Sequence, residues 1–586
     1  MAQNNTKLEL TWIGKYDEQA GVEPRILIEN PKYSYGEIET GTLPNGKPWN
    51  GNMLIHGDNL LALQALKNEF AGCVKCIYID PPYNTGSAFE YYDDGIEHSI
   101  WLSLMRERLN LLYDLLSRDG YIFVQIDDNE CAYLTLLMDE VFGRENRINT
   151  ICVNMSNLSG VKITSAINGK RFPKIKEYIL LYAKDKGAAP LRIPRIAKDK
   201  WDKEYNLIIP EMTREMSEQY EKGDVESIKD VLSQLSIVSL KKYMVELGIE
   251  DSDDNWKYDN AYRIFASKPN AALLNRAKDI DFDNLVGIVS NASGTEKLIK
   301  TDFNRETKTA RIELVCANTN STTFLGDHWP DIVTTGGVGQ EGNVSFPNGK
   351  KPEKLISRII ECSTLPNDIV LDSFLGSGTT AAVAHKMKRR YIGVEMGEHA
   401  YSHCYIRLKN VIDGNDSTGV TKKYNWIKGG GFKFFELAPS LLKKDTRGNL
   451  VINKEYNADM LSAAMAKHQG FVYQPSSDIF WKQGYSSEND FIFTTTQFMT
   501  VEALAAIEET MKEDESLLVC CKAFQPECKS FSSRISIKKI PSVLLDKCEF
   551  DHDDYSLNII ELPEVDSEES FEQDSDDNIE YKETLF

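Results

Sequence analysis

No stretch of this chain stays apolar for the roughly 18 to 20 residues that a bilayer-spanning helix requires, so a membrane span is not expected. The opening residues, Met1-Ala-Gln-Asn-Asn-Thr-Lys-Leu8, carry no apolar run behind a basic start. A signal peptide is therefore not expected, and the cytoplasm is the expected compartment. The 11 cysteines are odd in number and scattered over 586 residues, which is not the pattern of a disulfide scaffold. Cys73 and Cys76 form one C-x-x-C, but no second such pair and no histidine pair completes a zinc site. Cys76 also opens the apolar run Cys76-Ile-Tyr-Ile-Asp80. Buried strand cysteines are the better reading, and no metal is expected. No internal repeat is found, and no Gly-Lys-Ser/Thr closes a glycine-rich loop, which excludes a P-loop.

Positive charge is also scarce. The net charge is −22, the wrong sign for a chain that embraces phosphates. The deficit is local, however. From Asp551 to Phe586 there are 14 acidic residues and one lysine, so the remaining chain carries about −9. Two basic clusters stand out: Lys162, Lys170, Arg171, Lys174 and Lys176, and then Arg192, Arg195, Lys198, Lys200 and Lys203. Each reads either as a phosphate contact or as a solvated face.

What the chain does have is strand–helix alternation. Residues 1–50 form an irregular lead-in with Pro and Gly. Met53–Asp58 reads as a strand, and Asn59–Phe70 as a helix with Leu60, Leu63 and Leu66 on one face. Further strands are expected at Val74–Asp80, Gly120–Asp127 and Glu177–Ala183, with helices at His98–Leu116 and Tyr133–Phe142. Between 189 and 342 polar residues dominate and apolar periodicity is weak. Alternation resumes with a helix at Lys354–Cys362, a strand at Asp368–Asp372, a helix at Thr379–Met387 and a strand at Arg390–Glu395. This order predicts an α/β fold with a mostly parallel, doubly wound sheet interrupted by an insertion. A separate α+β segment is expected after 428.

Two motifs carry chemistry. Asp80-Pro81-Pro82-Tyr83 ends a strand, where ligands of open α/β sheets bind. An aromatic amine is a weak nucleophile because its lone pair is delocalised. The Asp80 carboxylate and the Pro81 carbonyl can each accept one of its N–H groups and so localise that pair, while the Tyr83 ring can stack on a base. The second motif, Asp372-Ser-Phe374-Leu-Gly376-Ser-Gly378-Thr-Thr380, joins a strand to a helix, and glycines there admit a ligand close to the backbone. Glu395 follows at the end of the next strand, placed to hold ribose hydroxyls. Gly376-x-Gly378-x-x-Ala381 also fits a dinucleotide fingerprint. A dehydrogenase has no use for Asp-Pro-Pro-Tyr, and the pair of motifs tips the choice toward methyl transfer.

With Asp-Pro-Pro-Tyr ahead of the polar insertion and Phe-x-Gly-x-Gly behind it, the chain resembles the amino-methyltransferases of the β order. Gly57-Asp58-Asn59, Ile79–Gly86, Ile126–Glu130, Glu177–Lys184 and Lys351–Leu355 resemble the Mod subunits of Type III restriction-modification systems. The match covers roughly 50–185 and 345–400. It implies a Rossmann-like, S-adenosylmethionine-dependent enzyme that methylates N6 of a flipped adenine in double-stranded DNA. It also implies a homodimer and a partner helicase–nuclease subunit on another chain. A stand-alone N6-adenine or N4-cytosine methyltransferase remains an alternative, and a dinucleotide-dependent oxidoreductase a weaker one. None of the cysteines follows a proline, which argues against cytosine C5 methylation.

By the same resemblance Asp80, Pro81, Pro82 and Tyr83 are catalytic, and Phe374, Gly376 and Gly378 cradle the methionine part of the cofactor. Glu395 holds the ribose. Asp58 lies near the adenine or, equally, caps a helix. Lys351 and Pro352 close the cofactor pocket or form a plain loop, and Phe172 or Pro173 flanks the flipped base. The expected layout is a lead-in at 1–50, a methyltransferase domain at 51–188 and 343–428, a target-recognition domain at 189–342, and a C-terminal domain with an acidic tail at 429–586.

Overall fold

The computed structural model describes residues 9–16, 21–83, 94–155, 172–197, 200–307, 309–320, 322–332, 337–346, 349–542, 544, 548, 550 and 551. The chain divides into two compact units. One comprises Met1–Pro190 with Asp331–Phe586, and the other Leu191–Pro330.

The first unit is built on eight strands that determine where a ligand can sit. They are β1 (Asn52–His56), β2 (Val74–Ile79), β3 (Leu116–Ile126), β4 (Arg147–Asn154), β5 (Lys176–Ala183), β6 (Ile369–Asp372), β7 (Arg390–Glu395) and β8 (Gly431–Leu437). The helices that matter are α1 (Asn59–Phe70), α2 (Asp94–Leu115), α3 (Cys131–Met138), α4 (Glu353–Ser363), α5 (Thr379–Lys386) and α6 (Ile406–Asp413). The spatial order is β8-β1-β7-β6-β2-β3-β5-β4. The pairs from β8 to β3 are parallel, and β5 pairs antiparallel with both β3 and β4. The fold is a Rossmann-like, mostly parallel α/β sheet.

The apolar runs explain the central strands. Cys76 to Ile79 of β2 and all four residues of β6 are buried, as expected for strands covered by helices on both faces. α1 starts where the Asp58 carboxylate accepts the amides of Leu60 and Leu61, a cap worth about 1 kcal/mol. It buries Leu60, Leu61, Leu63 and Leu66 against the sheet and stops at Ala71-Gly72, with Gly72 at φ +70°. From β6 the chain winds through α5 to β7 on one side, while β2 winds through α2 to β3 on the other. The winding reverses between β6 and β2. Their carboxyl ends, Asp372 and Asp80, flank the crevice that such a reversal leaves open.

Three expectations need correction. The lead-in is not wholly irregular: Leu27–Glu29 and Tyr35–Gly36 pair antiparallel with β8. β8 itself belongs to the central sheet, parallel to β1, rather than to a separate C-terminal segment. Phe432 and Phe434 are completely buried there, and strand addition covers an otherwise open sheet edge. β4 was missed because its residues are mixed in polarity and only Ile151 and Val153 of its eight residues are buried.

Beyond β8 lies a five-stranded sheet in the order 472–473, 484–487, 490–499, 516–524, 535–539, whose last three strands are parallel. Leu461, Met465, Ile492 and Cys520 belong to one of its buried clusters. The second unit holds a six-stranded antiparallel sheet in the order 238–239, 207–208, 264–269, 311–316, 296–300, 286–290. In Arg311–Cys316 the residues Ile312, Leu314 and Cys316 face inward by simple alternation. Among the described residues no helix is long and apolar enough to cross a membrane.

Candidate active site

At the reversal point the first unit opens a cleft lined by Asp80, Lys351, Asp372, Phe374, Gly376 and Thr380, among others. The two motifs lie far apart in sequence, opening at Asp80 and Asp372, and meet because β2 and β6 are neighbours.

Asp80 is fully engaged. Its Oδ1 lies 2.7 Å from the Tyr83 hydroxyl and its Oδ2 lies 2.9 Å from Lys351 Nζ. The Tyr83 hydroxyl is also 2.9 Å from Glu177 Oε2 and accepts from Lys351 Nζ at 3.0 Å. Lys351 completes the ring at 3.4 Å from Glu177 Oε2. Gln125 donates to Glu177, and the buried Tyr78 hydroxyl donates to Gln125 Oε1 at 2.6 Å. Burial lifts the Asp80 pKa above its ordinary value, and Glu177 adds to the rise while Lys351 opposes it. Burial would lower the Lys351 pKa, but the facing charges of Asp80 and Glu177 raise it overall. Burial and the same two carboxylates push the Tyr83 hydroxyl far up, so it stays protonated. The Pro82 carbonyl accepts the Trp101 indole N–H at 3.0 Å, which pins the turn.

The loop between β6 and α5 is organised by Asp372. One of its oxygens accepts the Phe374 amide at 2.9 Å and the other accepts the Thr380 hydroxyl at 2.5 Å. Burial raises its pKa to about 7, reinforced by the charges of Asp80 and Glu395. The two loop glycines serve different ends. Gly376 has φ +56°, and a Cβ there would meet open space. Gly378 has φ +78°, and a Cβ would lie 3.2 Å from the Cys404 Cα. Gly376 therefore faces the cleft, while Gly378 lets the loop pack on the residues ahead of α6. Glu395 stands one layer behind and accepts the amides of Gly376 at 2.7 Å and Gly397 at 3.0 Å. Burial raises its pKa against those two bonds.

Beneath the loop lies a wholly buried charge cluster. Glu353 binds Lys386 at 2.8 Å and Arg407 at 2.8 Å, Asp416 binds Lys386 at 2.6 Å, and Arg407 donates to Thr379 Oγ1 at 2.7 Å. It ties the start of α4, just after Lys351 and Pro352, to the loop between β6 and α5.

The remaining sequence candidates are placed as follows. The side chain of Asp58 caps α1, and its other oxygen lies 3.5 Å from Arg108. Pro352 is the N-cap residue of α4 and accepts the Leu355 amide. Phe172 is 94% exposed. Lys174 and Lys176 of the first basic cluster pair with Asp127 and Asp128; Lys162, Lys170 and Arg171 lie outside the described residues. Arg195 of the second cluster pairs with Glu221 at 3.5 Å; Lys198 lies outside. Cys76 is buried in β2, with burial raising its thiol to about 12. Sequence reasoning assigned no role to Glu177, Gln125 or Asp372. Only the antiparallel register, Ile126 opposite Tyr178, brings Glu177 to the edge where the parallel strands end.

Residues 74–406, more than half of the chain, match the N6/N4 DNA methylase family. This chain is a member of the DNA methylase family. The methylase is 35% identical over 434 residues to a Haemophilus influenzae protein named as a probable type III restriction-modification enzyme HindVI Mod subunit, covering 70% of this chain and 56% of that protein. It is 29% identical to the type III restriction-modification enzyme StyLTI Mod subunit of Salmonella typhimurium, over 64% of this chain and 55% of that one. The methylase thus spans little more than half the length of these relatives. Among solved structures, the PvuII DNA methyltransferase (cytosine-N4-specific) aligns at 14% identity over 70% of this chain and 96% of that chain, with a TM-score of 0.32.

Proposed function

We propose that this methylase transfers a methyl group from S-adenosylmethionine to N6 of an adenine flipped out of duplex DNA, as the modification subunit of a Type III restriction-modification system. The observation that carries this reading is the Asp80 carboxylate and the open Gly376 loop facing one cleft. The lining suits the cofactor. S-adenosylmethionine carries an ammonium and a sulfonium, and Asp80 and Asp372 offer carboxylates to cations. The same carboxylates would repel the pyrophosphate of a dinucleotide.

When bound, the cofactor supplies an activated methyl group that needs no metal. The work left to the protein is positioning. Gly376 admits the cofactor at the backbone, Phe374 and Thr380 wall it, and Asp372 receives its ammonium. Glu395 holds the loop amide and has lone pairs left for ribose hydroxyls. Gly378, Asp58 and Pro352 set loop and helix geometry around them. Asp80 and the Pro81 carbonyl accept the two N–H groups of the target amine, Pro82 stiffens that turn, and the Tyr83 ring stacks on the base. Base flipping costs a few kcal/mol, which phosphate contacts must offset. The relatives' names, Mod subunits of type III restriction-modification enzymes, support a further subunit on another chain, and we propose that it is a helicase–nuclease. We place the enzyme in the cytoplasm as a homodimer.

The test is DNA from cells expressing the chain, digested to nucleosides and examined by mass spectrometry. N6-methyladenine at one sequence context is expected. N4-methylcytosine would reassign the base, and an unmodified genome with no S-adenosylmethionine binding would sink the reading.

A further inference from the structure

The ring of contacts around Asp80 poses a problem for the amine that is to bind there. Both carboxylate oxygens already hold a donor. The two donors differ in how easily they can leave. The Tyr83 hydroxyl has one proton and two acceptors within reach, Asp80 Oδ1 at 2.7 Å and Glu177 Oε2 at 2.9 Å. Rotation about a single C–O bond moves that proton from one to the other without shifting the ring. Lys351 is held on Oδ2 by three partners, with 11% of its side chain exposed.

Resting on the methyl-transfer reading above, we propose that Lys351 is a positioning residue for catalysis. It stays on Asp80 Oδ2 as the counter-ion that keeps the carboxylate ionised, while Glu177 takes over the Tyr83 hydroxyl and frees Oδ1 for the target amine. This assigns Lys351 to the nucleophile's side of the cleft rather than to closure of the cofactor pocket.

The groups facing Asp80 are Lys351 from the loop before α4, Glu177 from β5, Tyr78 from β2, Tyr83 and, across the crevice, Asp372 from β6. Of these only Lys351 is cationic. An opposite charge this close lowers a carboxylate's pKa by about 1 to 3 units. An amine acceptor must be ionised, so the acid limb of the rate profile reports Asp80. Removing Lys351 should raise that limb, and removing the Glu177 charge should lower it.

The experiment uses the full chain, PCR-amplified bacterial genomic DNA and tritiated S-adenosylmethionine in single-turnover assays from pH 5.5 to 9.5. Lys351→Met should be at least tenfold slower at pH 7, with its acid limb moved up by about 1 to 3 pH units. Lys351→Arg should restore the limb. Glu177→Gln should move it down, and that sign decides the matter if Lys351→Met is too slow to profile. Calorimetric affinity for S-adenosylmethionine should match the parent in all three variants. If the limb stays put, or cofactor binding is what Lys351→Met loses, the proposal is overturned while the methyltransferase reading stands. If the parent itself transfers no methyl, both fall together.

Discussion

Both oxygens of Asp80 are occupied, and under the proposed mechanism this sets what its removal should do. Asp80→Ala deletes the proposed acceptor for the amine and leaves Lys351 with Glu177 and the Tyr83 hydroxyl, but removes nothing the loop between β6 and α5 uses. A hydrogen bond to a charged group is worth about 1.5 to 3 kcal/mol, so methyl transfer should slow at least tenfold with S-adenosylmethionine affinity kept. Single-turnover kinetics beside calorimetry check this, and a parental rate would refute the role. Tyr83→Phe keeps the ring face but loses the hydroxyl between Asp80 and Glu177. Because the reactive state already frees Asp80 Oδ1 of that hydroxyl, methyl transfer should change by less than about tenfold; a larger loss in single-turnover kinetics would count against the hand-over to Glu177. Asp372 makes a pH prediction. Its folded pKa of about 7 lies above the ordinary 3.8. The folded chain therefore keeps a proton that the unfolded chain releases, and stability falls as pH rises through that window. Asp372→Asn should raise the melting temperature above pH 7 and leave it nearly unchanged at pH 4. A melting curve shifted equally at both would count against the assignment.

At the scale of elements, the loop between β6 and α5 does two jobs with two glycines. Gly376→Ala places a methyl in open space at φ +56°, with left-handed backbone costing about 1 to 2 kcal/mol. It should fold with modest loss yet bind S-adenosylmethionine poorly, because the methyl enters the cleft. Gly378→Ala meets the same backbone cost and drives a methyl against the Cys404 Cα. Its larger defect should be in stability. Denaturant titration and calorimetry on the pair separate the roles, and equal cofactor losses at equal stability would erase the distinction. The Glu353, Lys386, Arg407 and Asp416 cluster shows why this loop can hold its shape. All four side chains are buried, and the charges balance.

For the whole molecule the question is how so acidic a chain would engage DNA, as proposed. Fourteen acidic residues and one lysine lie from 551 to 586, so most of the excess charge is confined to the end of the chain. Asp551 is anchored, its amide donating to Ser440 Oγ at 2.8 Å. Truncation after Asp551 should leave methyl transfer intact and tighten DNA binding at low salt, since the removed charge repels phosphate. Fluorescence anisotropy over a salt series measures this. A folded truncation that no longer methylates would show that the tail does something else.

Much of this molecule follows from local pattern. β2 and β6 are apolar runs that only covered parallel strands tolerate, α1 carries its own cap in Asp58, and the two motifs suggest the proposed amine acceptor and cofactor loop because each needs a distinctive backbone. Those are short-range properties, set by neighbours a few residues away. The second unit's sheet was hidden because strands of two to six residues show too little alternation to stand out. β8 was hidden because nothing in Gly431–Leu437 says that it pairs with a strand nearly 400 residues earlier. Glu177, Gln125 and the contact of Lys351 with Asp80 depend on register and on loop closure between distant segments. No spacing in the chain encodes those contacts; they exist only once β2, β3, β5 and the turn before α4 are packed together, where burial turns three ordinary charges into one coupled group.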